Sequence, residues 1–150
     1  MSDLLRELYQ EIIMDHSRSP RCFGRPASYT HSKDSYNPLC GDKVALYCSQ
    51  SEQGFLQLSF EGSGCAMCMA STSLLLEAFN NRSIANSEVL IKQLFKLLST
   101  EALSLSEQDV LGKLMVLQSV KQYPSRVKCV TLSWHALKEI LEMITGKSHR

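Results

Sequence analysis

Three cysteines stand far apart in the chain, each at an expected turn or helix start: Cys40 in Pro38-Leu39-Cys40-Gly41-Asp42, Cys65 in Gly62-Ser63-Gly64-Cys65, and Cys129 in Pro124-Ser125-Arg126-Val127-Lys128-Cys129. At such places free backbone N–H groups and nearby cations lower a thiol's pKa and make thiolate available. Asp42, two residues from Cys40, places a hard oxygen beside the soft sulfurs. Three thiolates and one carboxylate complete a four-coordinate metal site, so Cys40, Asp42, Cys65 and Cys129 are the candidate ligands. Taken singly, each has a plainer reading. Cys40-Gly41-Asp42 would serve as a turn whose Asp caps its own backbone, and Cys65 or Cys129 as a buried inert thiol. The recurrence of the pattern at three places favours a site.

The remaining reactive side chains are less organised. Cys65-Ala66-Met67-Cys68 is a C-x-x-C pair at a helix start, the arrangement of dithiol oxidoreductases. Those enzymes place the pair after a βαβ unit, whereas this chain reads as a strand meander at that point. Cys68 is expected to be a bystander one turn into the helix. Cys22, in a loop, and Cys48, on a strand, look incidental. His16, His31, His135 and His149 show no ligand spacing. The chain has no phosphate-binding loop, dinucleotide fingerprint or nucleophile elbow.

Elements must bring the cysteines together. Residues Asp3 to about Ser17 predict an amphipathic helix with Leu4, Leu5, Leu8, Ile12 and Ile13 on its apolar face, stopped at Ser19-Pro20. Strands are expected near Ala27–Ser35, Lys43–Gln50 and Phe55–Glu61, forming an antiparallel meander. From Cys65 onward the pattern is helical. One helix runs to Asn80, and a second runs from Ser87 to about Leu98, capped by Asn86 or Ser87. A third opens at the capping box Ser104-x-x-Glu107 and continues through Leu111, Leu114, Met115 and Val120. The last spans Val127 to Ile144, with Leu132, Leu137, Ile140 and Leu141 facing inward. Strands followed by packed helices imply an α+β fold, a three-stranded antiparallel sheet packed against helices.

Composition sets the surroundings. A chain of 150 residues is long enough for one domain with its own core. A formal net charge of +1 gives no electrostatic case for nucleic acid or an acidic membrane as partner. No run approaches the roughly 20 apolar residues of a membrane span. The N-terminus carries acids early and does not read as a signal peptide. The six cysteines are therefore expected to be reduced, in a cytoplasmic protein.

Several stretches together resemble a known family. They are Leu8-Tyr9-x-x-Ile12-Ile13-Met14-Asp15-His16-x-x-x-Pro20-Arg21, Asn37-Pro38-x-Cys40-Gly41-Asp42, Gly62-x-Gly64-Cys65-x-x-x-Met69-Ala70-Ser71, and Pro124-x-Arg126-x-Lys128-Cys129-x-Thr131-Leu132-Ser133-Trp134. In order and type they resemble the iron–sulfur cluster assembly proteins of the NifU N-terminal/IscU-like family. The resemblance spans nearly the whole chain and implies that family's fold, with a metal site at Cys40, Asp42, Cys65 and Cys129. The scaffold-type members have His directly before the last cysteine and a Leu-Pro-Pro-Val-Lys segment ahead of it. Here Lys128 holds the first position and Gln122-Tyr123-Pro124-Ser125 replaces the segment, which is similar to the SufU branch. That branch implies a zinc-bound (Zn2+) persulfide carrier working with a SufS-type cysteine desulfurase and delivering sulfur to a downstream SUF scaffold or apo-protein. The alternative is a scaffold building a 2Fe-2S cluster on the same ligands. Cys40 is then the expected sulfur acceptor, and Arg126 the cation that pairs with Asp42 or with the released sulfur. Cys68 departs from the family pattern.

Overall fold

The computed structural model describes residues 3–147, so His149 lies outside the described residues. Its elements run α1 Asp3–Arg18, β1 His31–Asn37, β2 Asp42–Gln50, β3 Leu56–Ser63, α2 Ala66–Phe79, α3 Ile84–Leu97, α4 Leu105–Leu111, a 3₁₀ segment Gly112–Gln122, and α5 Pro124–Thr145. The three strands form one antiparallel sheet in the order β1-β2-β3, giving the expected α+β layering.

Strand β2 sets the core. Val44, Leu46 and Cys48 alternate along one face and are buried with Leu56, Leu58 and Phe60 of β3. The helices α2 and α5 cover that face, α5 reaching β1 and β2 and α2 reaching β3. Helix α2 is buried almost all round from Cys68 to Phe79, because α1, β3 and α5 all pack on it. A buried polar link holds α2 to α5: Trp134 Nε1–H donates to Ser71 Oγ at 2.9 Å, and Ser71 Oγ–H donates to the Val130 carbonyl at 2.7 Å.

Several expected boundaries shift. The apolar face of α1 is mostly uncovered, with Leu4, Leu5 and Leu8 78%, 38% and 49% exposed. Its buried residues, Ile13 and His16, lie in the later turns, where His16 reaches Ser73 of α2. Strand β1 begins at His31 and extends to Asn37, which pairs with Asp42; its polar sequence carries no alternation that could have marked those ends. Helix α3 starts three residues early, because Ser83 Oγ accepts the Asn86 N–H at 3.1 Å, while Ser87 turns inward to donate to the Ser83 carbonyl. The capping box at Ser104 and Glu107 forms as expected. The α-helix it opens stops at Leu111, and Gly112, at φ +52°, redirects the chain into the 3₁₀ segment. Helix α5 starts at Pro124, where a proline at the first position lacks only an N–H that would be unpaired anyway. Leu132 and Met115 are only half-buried, and Leu111, Leu114, Val120, Leu137, Ile140 and Leu141 are buried as expected.

Candidate metal centre

Three connections converge at one end of the sheet. The β1–β2 turn carries Cys40, with Gly41 at φ +74°. Asn37 builds that turn: its carbonyl accepts the Gly41 N–H at 2.8 Å and its side-chain Oδ1 accepts the Leu39 N–H at 3.1 Å. Asp42 is the first residue of β2 and is completely buried. The β3–α2 connection brings Cys65 as the N-cap of α2, its Sγ accepting the Cys68 N–H at 3.4 Å. Cys129 comes from the buried face of α5.

Asp42 is the hub. The Cys40 thiol donates to Asp42 Oδ2 at 3.0 Å, and the Cys65 N–H donates to Oδ1 at 2.8 Å. The Cys65 thiol lies 3.8 Å from Oδ2, and the Cys40 and Cys129 sulfurs are 3.5 Å apart. Ligand atoms of Cys40, Asp42 and Cys129 all lie within 4.8 Å of one another. Cys65 joins that triplet through Asp42. A Cβ at Gly64 would stand 2.5 Å from Asp42 Oδ1, so a side chain there would push the carboxylate out of place. Two thiols and a carboxylate clustered this closely, with a third thiol alongside, suit a tetrahedral ion such as zinc in donor type and number.

The electrostatics tie these groups to one another. Burial raises the pKa of Asp42, but hydrogen bonds from Cys40, the Cys65 backbone, Cys129 and Cys65 outweigh it and hold the carboxyl below the usual range. Burial and then hydrogen bonding to Asp42 and Cys40 push the Cys129 thiol strongly upward. This corrects the expectation for Cys129. It lies five residues beyond Pro124, past the N–H groups that a helix start leaves unpaired, and Arg126 and Lys128 are exposed while Cys129 is buried. Thiolate at Cys129 therefore calls for a cation bound among these donors. Cys65 does sit at a helix start, as expected.

Arg126 does not pair with Asp42: among the described residues no ion pair joins them. It stands exposed on the first turn of α5, lining a cleft that Cys65 also lines. Cys68 is fully buried and pushed up to about 12, by burial first and then by Asp42, Cys65 and Cys40. Cys48 is held at about 11 by burial. Cys22 is raised by burial, and its sulfur accepts the Asn80 side-chain N–H at 2.8 Å. His135 lies on the surface against the Phe95 ring.

Sequence reasoning passed over His16, which is completely buried. Its Nδ1 is 2.7 Å from Ser73 Oγ, which also accepts the Arg21 N–H, and its Nε2 lies 3.9 Å from Glu77. The signal was present: His16 follows Ile12 and Ile13 at i+4 and i+3, on the one part of α1 that is buried.

The sequence pattern of the NifU-like N terminal domain matches residues 8–130. The chain belongs to that family. The zinc-dependent sulfurtransferase SufU of Bacillus subtilis is 33% identical over 135 residues, covering 90% of each chain. The iron–sulfur cluster assembly scaffold protein IscU of Thermotoga maritima is 30% identical over 142 residues, 95% of this chain and 98% of that one. Among solved structures, a putative iron–sulfur cluster assembly scaffold protein for the SUF system from Fervidobacterium islandicum superposes with a TM-score of 0.80 at 29% identity, over 91% of this chain and 98% of its own. No described helix is long and apolar enough to cross a membrane.

Proposed function

We propose that this family member is a zinc-dependent sulfur acceptor, taking sulfur from a cysteine desulfurase of the SufS type and passing it to a SUF scaffold or an apo-protein. The ligands in this reading are Cys40, Asp42, Cys65 and Cys129, within one domain spanning residues 1–150. The observation that carries it is the contrast within the cluster. Cys40 is exposed on a short turn, while Cys129 is buried in α5 and Cys65 is anchored at the start of α2. Similarity to a protein named as a zinc-dependent sulfurtransferase points the same way. When bound, zinc holds the thiolates deprotonated at neutral pH without redox chemistry of its own.

The chain's own residues then divide the work. The Cys40 thiolate attacks the outer sulfur of the desulfurase persulfide; the new S–S bond forms on Cys40 as the old one breaks, and the desulfurase cysteine leaves as thiolate. Asp42 is the weakest ligand of the set, and it has a second hold in the Cys65 N–H at 2.8 Å, which does not involve Cys40. Release of Cys40 therefore leaves the remaining donors ordered. Arg126, exposed on α5 with the groove before it, supplies a cation to the anionic sulfur in transit. The reading places the protein in the cytoplasm and involves neither nucleic acid nor membrane.

A second reading is a scaffold on which a 2Fe-2S cluster is assembled and handed on, favoured by the similarity to an IscU scaffold along almost the whole of both chains. Anaerobic purification, metal analysis and a visible spectrum separate the two. About one zinc per chain, no visible absorption and stimulation of a cysteine desulfurase support the acceptor. Iron and sulfide in equal amounts, with charge-transfer bands, support the scaffold and overturn the acceptor reading.

A further inference from the structure

A cleft of about 820 Å³ opens between α1, the first turn of α2, the 3₁₀ segment and the first turn of α5. Its size falls in the range of small-molecule sites. The walls are mainly apolar, with Tyr9, Met67 and Val120 among them, and Cys65 forms part of one side. Two arginines, Arg6 from α1 and Arg126 from α5, line it together with no Asp or Glu. Neither arginine is in an ion pair among the described residues. Three of the four acids of α1, Glu7, Glu11 and Asp15, line a neighbouring hollow instead, across Gln10 and Met14, and Asp15 is paired with Arg21. The positive end of the 14-residue helix α2 also borders the cleft and adds to the field.

From this segregation we infer that the cleft binds a small organic dianion with an apolar body, its two acidic groups taken by Arg6 and Arg126 and its middle lying against Tyr9, Met67 and Val120. A guanidinium binds a carboxylate through paired, charge-assisted hydrogen bonds. Two of these at a mainly apolar wall explain why the cleft excludes acids of its own. Cys65, one of the candidate metal ligands, and Arg126, used in the proposed sulfur transfer, both line the cleft, so the site adjoins the centre. The inference holds whichever metal the cysteines bind.

The test uses the protein as purified, ¹⁵N-labelled, at constant ionic strength, with isophthalate as probe and its neutral analogue isophthalamide as control. Isophthalate is expected to shift the backbone amides of Arg6, Tyr9, Met67 and Val120 saturably, and isophthalamide to bind about tenfold more weakly. Arg6→Gln, a change on an exposed helix face, should weaken isophthalate about tenfold while leaving metal content and melting temperature as in the wild type. Arg126→Gln should do the same to binding. Shifts that never saturate, equal binding of the neutral amide, or binding untouched by both substitutions would overturn the proposal. So would loss of binding on stripping the metal from a chain that stays folded, because the anion would then be a metal ligand. Binding of an oligoglutamate peptide but not of isophthalate would make the cleft a protein-docking groove and equally defeat the proposal.

Discussion

At the scale of single residues, the cluster sets one exposed cysteine beside two that helices hold in place. Cys40 lies exposed on the turn, bonded to Asp42 by its thiol alone. Cys40→Ser should lower stimulation of a cysteine desulfurase by at least about 100-fold, as loss of a nucleophile does, while the metal-free chain keeps its melting temperature within a few degrees. Labelled sulfur found by mass spectrometry only on Cys65 or Cys129 would assign the acceptor elsewhere. Cys68 behaves oppositely. Buried in the core with its thiol pushed up to about 12, it stays a neutral thiol and packs as a small apolar side chain. Cys68→Ala should retain zinc against a competing chelator like the wild type and lose about 1 kcal/mol from the small cavity. Asp42→Ala should release the metal and, by orphaning the Cys65 N–H, cost a further 1–3 kcal/mol or so. The reverse outcome, with Cys68→Ala losing metal and Asp42→Ala keeping it, would describe a four-thiolate site.

At the scale of elements, legibility followed local chemistry. The capping box at Ser104, the Gly41 turn and the Cys65 helix start each depend on neighbours within four residues, and all three formed as expected. The exposed apolar stripe of α1 depends on how far that helix overlaps α2, which no periodicity encodes. Likewise Cys129 reads as a helix start only if Pro124 is taken as a breaker; as first residue of α5 it moves Cys129 into the second turn. The meeting of Cys40, Asp42 and Cys129 was anticipated from residue type, but the pairing of Asp42 with the Cys65 backbone was not, because it joins positions 23 apart. The β3–α2 connection has little room for a side chain at Gly64. Gly64→Ala places a methyl group 2.5 Å from Asp42 Oδ1, and overpacking of this kind costs about 1–3 kcal/mol. Zinc affinity should fall with it, measurable by competition with a chromogenic chelator. A Gly64→Ala protein with wild-type affinity would mean the carboxylate can shift without loss.

At the scale of the whole molecule, the ion would couple the sheet to two helices. A ligand held only by the folded state stabilises it by about 4 kcal/mol at a thousandfold excess over Kd, so chelation should lower the melting temperature by about 10 °C for a chain of this size. An unchanged melting temperature after verified removal would leave the metal without a structural role. His16 adds a pH dependence that survives chelation. Burial, then Arg21 and Lys113, lower its pKa below the ordinary 6.5. Above that value the ring is neutral in both states and contributes no slope. As pH falls below it the unfolded chain takes up a proton first, so stability declines. The metal-free wild type should therefore lose stability from pH 7 to pH 5.5, and His16→Gln should lose less; equal slopes would show that His16 does not titrate differently on folding. The long-range link Trp134–Ser71–Val130 bears on biosynthesis. It seats α5, and with it Cys129, against an α2 that is made earlier. Because chains emerge from the N-terminus first, the proposed ligands Cys40, Asp42 and Cys65 would be available to a passing ion while the fourth was still unmade. A nascent chain would then offer an incomplete and weaker trap, and firm capture would wait until α5 has docked, which would make metal retention a built-in signal that folding has finished.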